Sequence, residues 1–176
     1  MTGKRDERAR RFDALARAHG ADLYRFALWL CGQEALARDL VQEAFLRAWK
    51  ALEALRDDSA ARSWLITILR REYARTFERK VPKLVDIDAV PVPETGAPGP
   101  DGHTERDLLR EAIAQLPPRY REPLLLQVVI GLSGAEIAQA LNISQSAVMT
   151  RLFRAREKLM ARVQRDGITG NIDGPF

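Results

Sequence analysis

Between Val81 and His103 the helical spacing of apolar residues stops. The stretch holds Pro82, Pro91, Pro93, Pro98 and Pro100, with Gly96, Gly99 and Gly102 between and after them. Proline removes an amide donor and clashes with the preceding turn, so no long element forms here. On either side the 3.6-residue periodicity is strong. The chain is therefore expected to be all-α. Two small helical domains, at 10–80 and 104–165, would be joined by a flexible Pro/Gly-rich linker at 81–103. Lys83 stands there against Asp86, Asp88, Glu94 and Asp101, so the linker is acidic. Domains of about 60–70 residues are only marginally self-sufficient, and docking on a larger partner would help hold them.

The second half contains the most informative stretch, Ser133–Leu159. Ile137, Ala138 and Leu141 give a short helix its apolar stripe, and Asn142 follows where the chain must reverse. Asparagine tolerates the left-handed conformation that ends helices. Ser144 can cap the next helix through its hydroxyl. Val148, Leu152, Ala155, Leu159 and Val163 then form one stripe, while the opposite face carries Gln145, Met149, Thr150, Arg151, Phe153 and Arg154. This reads as a helix-turn-helix whose second helix suits a DNA major groove. The alternative is a solvated basic face on an ordinary helix. Upstream, Thr104–Gln115 reads as a helix with a capping-box-like start at Thr104 and Asp107. Arg119–Leu132 reads as another, burying Leu124, Leu125, Val128 and Val129, and either starting near Glu122 or kinking at Pro123. Residues beyond Arg165 read as a tail.

In the first half, residues 1 to 9 are charged and expected to fray. A helical pattern runs from Phe12 to Leu30, with Gly20 a candidate break and Cys31-Gly32 the stop. His19 lies beside the apolar stripe and reads as a packed histidine rather than a ligand. Glu34–Leu52 buries Leu36, Leu40, Val41, Ala44, Phe45, Ala48 and Leu52. Its other face shows Asp39, Gln42 and Glu43. Asp39 and Glu43 are four apart and share one helical surface. That acidic patch is either solvated or a dock for a basic partner helix. After a loop at 53–61, where Asp57, Asp58 or Ser59 could cap, a helix from Ala60 to Lys80 buries Trp64, Leu65, Ile68, Leu69 and Tyr73. Arg62, Arg70, Arg71 and Arg75 decorate it, with aromatic Trp64 interleaved. Arginines neutralise phosphates and aromatics stack on unpaired bases, so the mixture suits melted DNA; a basic helix with core aromatics is the plainer reading.

Net charge is only +4, but 12 of the 28 basic residues lie in two segments, 62–80 and 144–165. Two basic footprints suggest two contacts with one polyanion. A single cysteine, Cys31, cannot form an internal disulfide. There is no signal-peptide pattern and no run near the roughly 18 apolar residues of a membrane span, so a cytoplasmic location is expected. Two histidines and one cysteine, scattered, make no metal set. No catalytic constellation, phosphate loop or cofactor motif is present, and neither a cofactor nor a small-molecule substrate is expected.

Asp39–Trp49 (DLVQEAFLRAW) resembles the second conserved region of bacterial sigma factors, and Ser63–Arg71 (SWLITILRR) resembles the helix that opens the −10 promoter element. Leu116–Glu122 (LPPRYRE), Gly131–Leu141 and Val148–Leu159 resemble the C-terminal promoter-binding domain. The resemblance spans residues 10 to 163, in order, with the short linker of the extracytoplasmic-function (ECF) group. It implies a sigma factor that binds core RNA polymerase, selects promoter DNA and assists melting. By that resemblance Asp39, Gln42 and Glu43 would dock on polymerase. Arg62, Trp64, Arg70, Arg71 and Arg75 would meet the −10 element. Ser144, Gln145, Ser146, Met149, Thr150, Arg151, Phe153 and Arg154 would serve the −35 element. An anti-sigma factor is an implied partner. Arg71 and Arg75 stand where the family often has Asn, and Met149 where Lys or Arg is common. A conventional helix-turn-helix regulator would leave the acidic patch and the Arg62–Arg75 helix without a role. An enzyme acting on nucleic acid would lack its catalytic groups.

Overall fold

The computed structural model describes residues 2–78 and 105–165, and among them every long element is a helix. The linker at 81–103, the Thr104–Asp107 cap and the tail beyond Arg165 lie outside the described residues or side chains. In the first half α1 (Thr2–Cys31), α2 (Glu34–Lys50) and α3 (Ala61–Glu78) pack on one another. In the second, α4 (Glu105–Ala114), α5 (Pro118–Val128), α6 (Gly134–Leu141) and α7 (Gln145–Arg165) do the same.

α1 begins at Thr2 and does not fray over its first nine residues. A long-range anchor explains this. The Arg8 guanidinium lies 4.7 Å from the Trp49 ring centre and donates to the Trp49 carbonyl at 2.6 Å. Nor does α1 break at Gly20, which faces the edge of the Phe45 ring across ordinary contact distance. Leu23, Phe26, Ala27 and Leu30 are buried on its inner face. Burying each large side chain stabilises by roughly 1.5–3 kcal/mol before chain entropy is subtracted. Gly32 then stops the helix with φ +69°, its amide reaching the Leu28 carbonyl.

α2 buries Ala37, Leu40, Ala44 and Ala48, while Leu36, Val41 and Phe45 are only partly covered. The expected loop after it is two short 3₁₀ turns, Leu52–Ala54 and Asp58–Ala60. Asp57 caps the second by accepting from the Ser59 amide. Arg11 of α1 pins the segment, donating to the Leu55 carbonyl at 2.7 Å and to Asp58. On α3, Leu65, Ile66, Leu69 and Tyr73 are buried; Trp64 and Ile68 are half-buried. Ile66 thus takes a core place that the stripe drawn through Ile68 omits.

α5 starts at Pro118, where a missing amide costs nothing, and continues through Pro123. It therefore does not begin near Glu122. The one lost bond is the amide that would have met the Arg119 carbonyl. Leu124, Leu125 and Leu126 are buried, but Val128 is 48 % exposed and Val129 only half-covered. Val128 is the last residue of the helix and Val129 its C-cap, and Ile130, just beyond, takes the core place. Gly131, φ +75°, closes the end, with the Leu132 amide reaching back to the Leu126 carbonyl and the Gly131 amide to Gln127. With Gly131 in the left-handed region, its 5→1 bond to Gln127 is the αL helix-ending motif.

Most buried residues of both halves belong to one hydrophobic cluster, which runs from Leu23 and Leu69 through Leu124 and Leu125 to Ile137 and Leu152. The two helical groups are therefore packed together, chiefly through α3 against α6 and α1 against α4 and α5.

Candidate nucleic-acid interface

The turn between α6 and α7 is built from three local choices. Ser133 and Glu136 form a reciprocal capping box at the start of α6. Asn142 ends α6 at φ +53°, ψ +48°, its amide bonded to carbonyls of the preceding turn. The Ser144 hydroxyl accepts from the Ala147 amide at 3.1 Å and caps α7. Val148, Leu152, Ala155 and Val163 are buried, which rotates the opposite face of α7 outward.

Ser144, Gln145, Ser146, Met149, Thr150, Phe153 and Arg154 are all exposed, and Arg151 is half-exposed at the edge. The candidate −35 residues therefore lie on the solvent-exposed surface of α7 and its cap, with Arg151 at the margin of the buried stripe. Met149 (56 %) and Phe153 (59 %) are large apolar side chains left in solvent, four residues apart on that surface. The Arg154 guanidinium lies 5.9 Å from the Phe153 ring centre and donates to Glu157 at 2.8 Å.

The candidate −10 residues are not brought to one surface. Arg71 and Arg75 are exposed. Trp64 is half-buried against the small cluster of Leu15, Leu52, Leu55 and Ala61. Arg62 and Arg70 turn toward the second half. Arg62 pairs with Asp22 at 2.8 Å and donates to the Ile130 carbonyl. Arg70 Nε donates to Glu122 at 3.0 Å and its Nη1 to the Ala140 carbonyl at 3.1 Å.

Asp39, Gln42 and Glu43 are exposed on α2, as their spacing requires. Gln42 also borders a groove of about 500 Å³ lined by Phe12, Tyr24, Arg38, Val41, Phe45, Leu46 and Trp49. The half-covered Val41 and Phe45 line this groove on one side and pack against the core on the other.

Glu72 was not among the candidates. It is buried on the otherwise basic α3, with Arg47 Nε 2.6 Å from its Oε1 and Arg75 donating to the same oxygen at 2.8 Å. The signal for it is an acid three residues before Arg75 on a helix of arginines. Arg121 is buried as well, donating to the Ala114 carbonyl at 2.8 Å and lying against the Tyr73 hydroxyl. Burial in that setting pushes the Tyr73 phenol up to about 12. Burial likewise raises the Cys31 thiol, which is no reactive nucleophile. His19 is held below its ordinary value by desolvation and by Arg62, which keeps it neutral. Among the described residues no cluster of His, Cys, Asp and Glu could hold a metal, and no helix is long and apolar enough to cross a membrane.

Among the described residues, the helices of the second half include a capped helix-turn-helix, the motif of a DNA-binding protein, and α2 of the first half exposes Asp39, Gln42 and Glu43. Residues 15–81 match the family described as Sigma-70 region 2, and residues 106–159 match Sigma-70, region 4. The ECF RNA polymerase sigma factor SigL of Mycobacterium tuberculosis is 35% identical over 162 residues, covering 89% of this chain and 90% of that protein. The ECF sigma factor SigM of Bacillus subtilis is 30% identical over 157 residues, covering 87% and 95%. Among solved structures, CnrH in complex with the cytosolic domain of CnrY superposes with a TM-score of 0.66 at 27% identity, covering 90% of each chain. The chain belongs to the ECF group of the sigma-70 family of RNA polymerase sigma factors.

Proposed function

We propose that the protein docks on core RNA polymerase through α2, directs it to a class of promoters through α7, and uses α3 in opening the −10 region. The division of labour follows the domains 10–80, 81–103 and 104–165. The observation that carries this reading is the presence, in one chain, of two separate exposed surfaces: the acidic patch at Asp39, Gln42 and Glu43, and the reading face on α7. A conventional duplex-binding regulator needs only the second. Arg62, Arg70, Arg71 and Arg75 serve the −10 strand, with Trp64 holding the start of α3 in place. Unpairing bases costs a few kcal/mol, which capture of the displaced strand offsets. Ser144, Gln145, Ser146, Met149, Thr150, Phe153 and Arg154 meet the −35 element, with Arg151 nearer phosphate.

The protein performs no chemistry of its own, takes no cofactor and acts in the cytoplasm. Its partners are polymerase, promoter DNA and an anti-sigma factor; the similar CnrH is solved with the cytosolic domain of CnrY.

Transcription in vitro tests this reading, with purified core polymerase, the protein and sheared DNA of its own genome. Discrete RNA 5′ ends sharing upstream elements are expected. Tight duplex binding without initiation would favour the conventional regulator. Asp39→Arg should weaken polymerase binding with the helix content intact; unchanged binding would remove the docking assignment.

A further inference from the structure

We propose that Met149 is an oxidation site on the face that α7 offers to the −35 element, where conversion of its thioether to the sulfoxide by a peroxide changes which promoters the protein selects. The proposal rests on the −35 role given to α7 above. Among the described residues sulfur occurs in Cys31, Met149 and Met160, and the three differ in access. Cys31 is fully buried, with Sγ–H donating to the Gln33 carbonyl at 3.3 Å. A thiol sealed off and kept protonated by burial reacts poorly with peroxide. Met149 is 56 % exposed and Met160 50 %, so oxidant reaches both. Gly134, at the start of α6, leaves the Met149 sulfur uncovered on that side: a Cβ there would lie 4.0 Å from Sδ.

The two methionines differ in what they can report. Both lie on one side of α7, about three turns and roughly 16 Å apart along its axis. A recognition helix reads base edges with its N-terminal residues. Met149 is in the second turn of α7 and Met160 in the fifth. Met160 thus carries the same chemistry out of reach of the bases. Lys or Arg, common in the family where Met149 stands, would bring no sulfur to this face.

The step is a two-electron oxygen transfer. The Met149 sulfur attacks one peroxide oxygen, the O–O bond breaks, and the second oxygen leaves as water. The thioether is oxidised, hydrogen peroxide is reduced, and methionine sulfoxide reductase reverses the change. The thioether is apolar and polarisable, which suits the thymine C5-methyl. The sulfoxide is polar, and its oxygen only accepts hydrogen bonds. Against thymine it meets a methyl group and the O4 acceptor and pairs with neither, whereas adenine N6 and cytosine N4 are donors. Oxidation therefore removes a preference for thymine rather than the capacity to bind DNA, because the arginines of α7 are untouched.

Peptide mass spectrometry on the full chain after treatment with hydrogen peroxide tests the site without reference to DNA. One added oxygen is expected on Met149 and on Met160, with Cys31 still open to alkylation after unfolding. Met149 unmodified while Met160 is oxidised would overturn the site.

Fluorescence anisotropy then tests the switch, on a −35 duplex from the promoters mapped by transcription in vitro and on the same duplex with uracil for thymine. Oxidation should weaken wild type and Met160→Leu about fourfold on the thymine duplex, the worth of one methyl contact. Neither should change on the uracil duplex, and the reductase should restore both. Met149→Leu, whatever its starting affinity, should bind alike with and without peroxide. Unchanged affinity of wild type with Met149 oxidised, or an equal loss in Met149→Leu, would overturn the switch. Failure of the −35 reading shows in the untreated protein instead, as equal binding to the mapped duplex and an unrelated one, and it overturns the switch with it.

Discussion

Glu72 on α3 and Arg47 on α2 meet side by side, Arg47 Nε 2.6 Å from Glu72 Oε1, and the same oxygen accepts from Arg75 at 2.8 Å. One buried carboxylate thereby ties the helix proposed to dock on polymerase to the helix proposed for the −10 strand. It also sets the direction of Arg75, whose own side chain is otherwise free to swing. A local charge count on α3 records Glu72 as a minor offset to the arginines. The fold makes it the residue that aims one of them.

Glu72→Gln keeps the shape and removes the charge. Breaking a fully buried ion pair costs about 3–5 kcal/mol, but both arginines reach solvent, at 41 % and 45 % exposure. The expected loss is about 1–2 kcal/mol, read as a lower urea midpoint at unchanged slope. A midpoint equal to wild type would show that the arginines are satisfied by water instead.

The capping box at α6 gives a second measurable effect. Ser133→Ala should cost about 1 kcal/mol, with the loss concentrated in the helix-turn-helix. The box also carries a pH signature. The Ser133 amide and hydroxyl donate to Glu136 at 2.8 Å and 2.7 Å, which holds its carboxyl below the ordinary value of 4.5. The unfolded chain then binds more protons than the folded one between the two values, so stability rises with pH across that window. The contribution is complete above 4.5 and disappears as pH falls through the folded value. In Ser133→Ala the acid limb of the stability profile should flatten only in part, because the amide of residue 133, the larger cause, remains; an unchanged limb would mean that this amide alone holds Glu136 low.

Asn142 is the left-handed hinge of the same motif. Asn142→Ala should cost about 1–2 kcal/mol, because a Cβ without a polar head has no compensation for that backbone region. Asn142→Gly should stay near wild type. Thermal melts of the two variants give the comparison, and equal loss in both would point to a side-chain role instead of a backbone one.

Helix identity and the exposed face of α7 were legible because they are decided locally. Ser133, Asn142 and Ser144 each fix one backbone feature within four residues, and the stripe from Val148 to Val163 fixes which side turns out. Gly32 and Gly131 stop helices for the same local reason. What was illegible depends on residues far apart in the chain. Thr2–Ala9 is helical because Arg8 meets Trp49, forty-one positions on. Ile130 takes the core place expected of Val128 because α5 ends one turn earlier than its apolar run suggests and the chain turns back after it. Arg62 and Arg70 read as free cations, and their partners Ile130, Ala140 and Glu122 lie more than fifty residues away. Periodicity identifies the side of a helix that turns away from its own domain, but not what then covers it.

Met149 and Phe153 supply the sharpest prediction about DNA reading. Both are more than half exposed, four residues apart on the face proposed for the −35 element. Large apolar side chains in that position suit the C5-methyl of thymine, which is the only apolar feature of the major-groove base edges. Replacing thymine by uracil deletes that methyl and leaves the hydrogen-bonding edge intact. In a −35 duplex obtained from the mapped promoters, each contacted methyl should be worth about 0.8 kcal/mol, close to fourfold in affinity. Met149→Ala should bind the thymine duplex about as weakly as wild type binds the uracil one, and should lose little further on uracil substitution. Two penalties that simply add would show that Met149 does not touch the methyl. Replacing Arg154 by Ala separates the polar part: a loss of about 1–3 kcal/mol confined to one base position marks a base contact, whereas equal weakening on unrelated duplexes marks a phosphate contact.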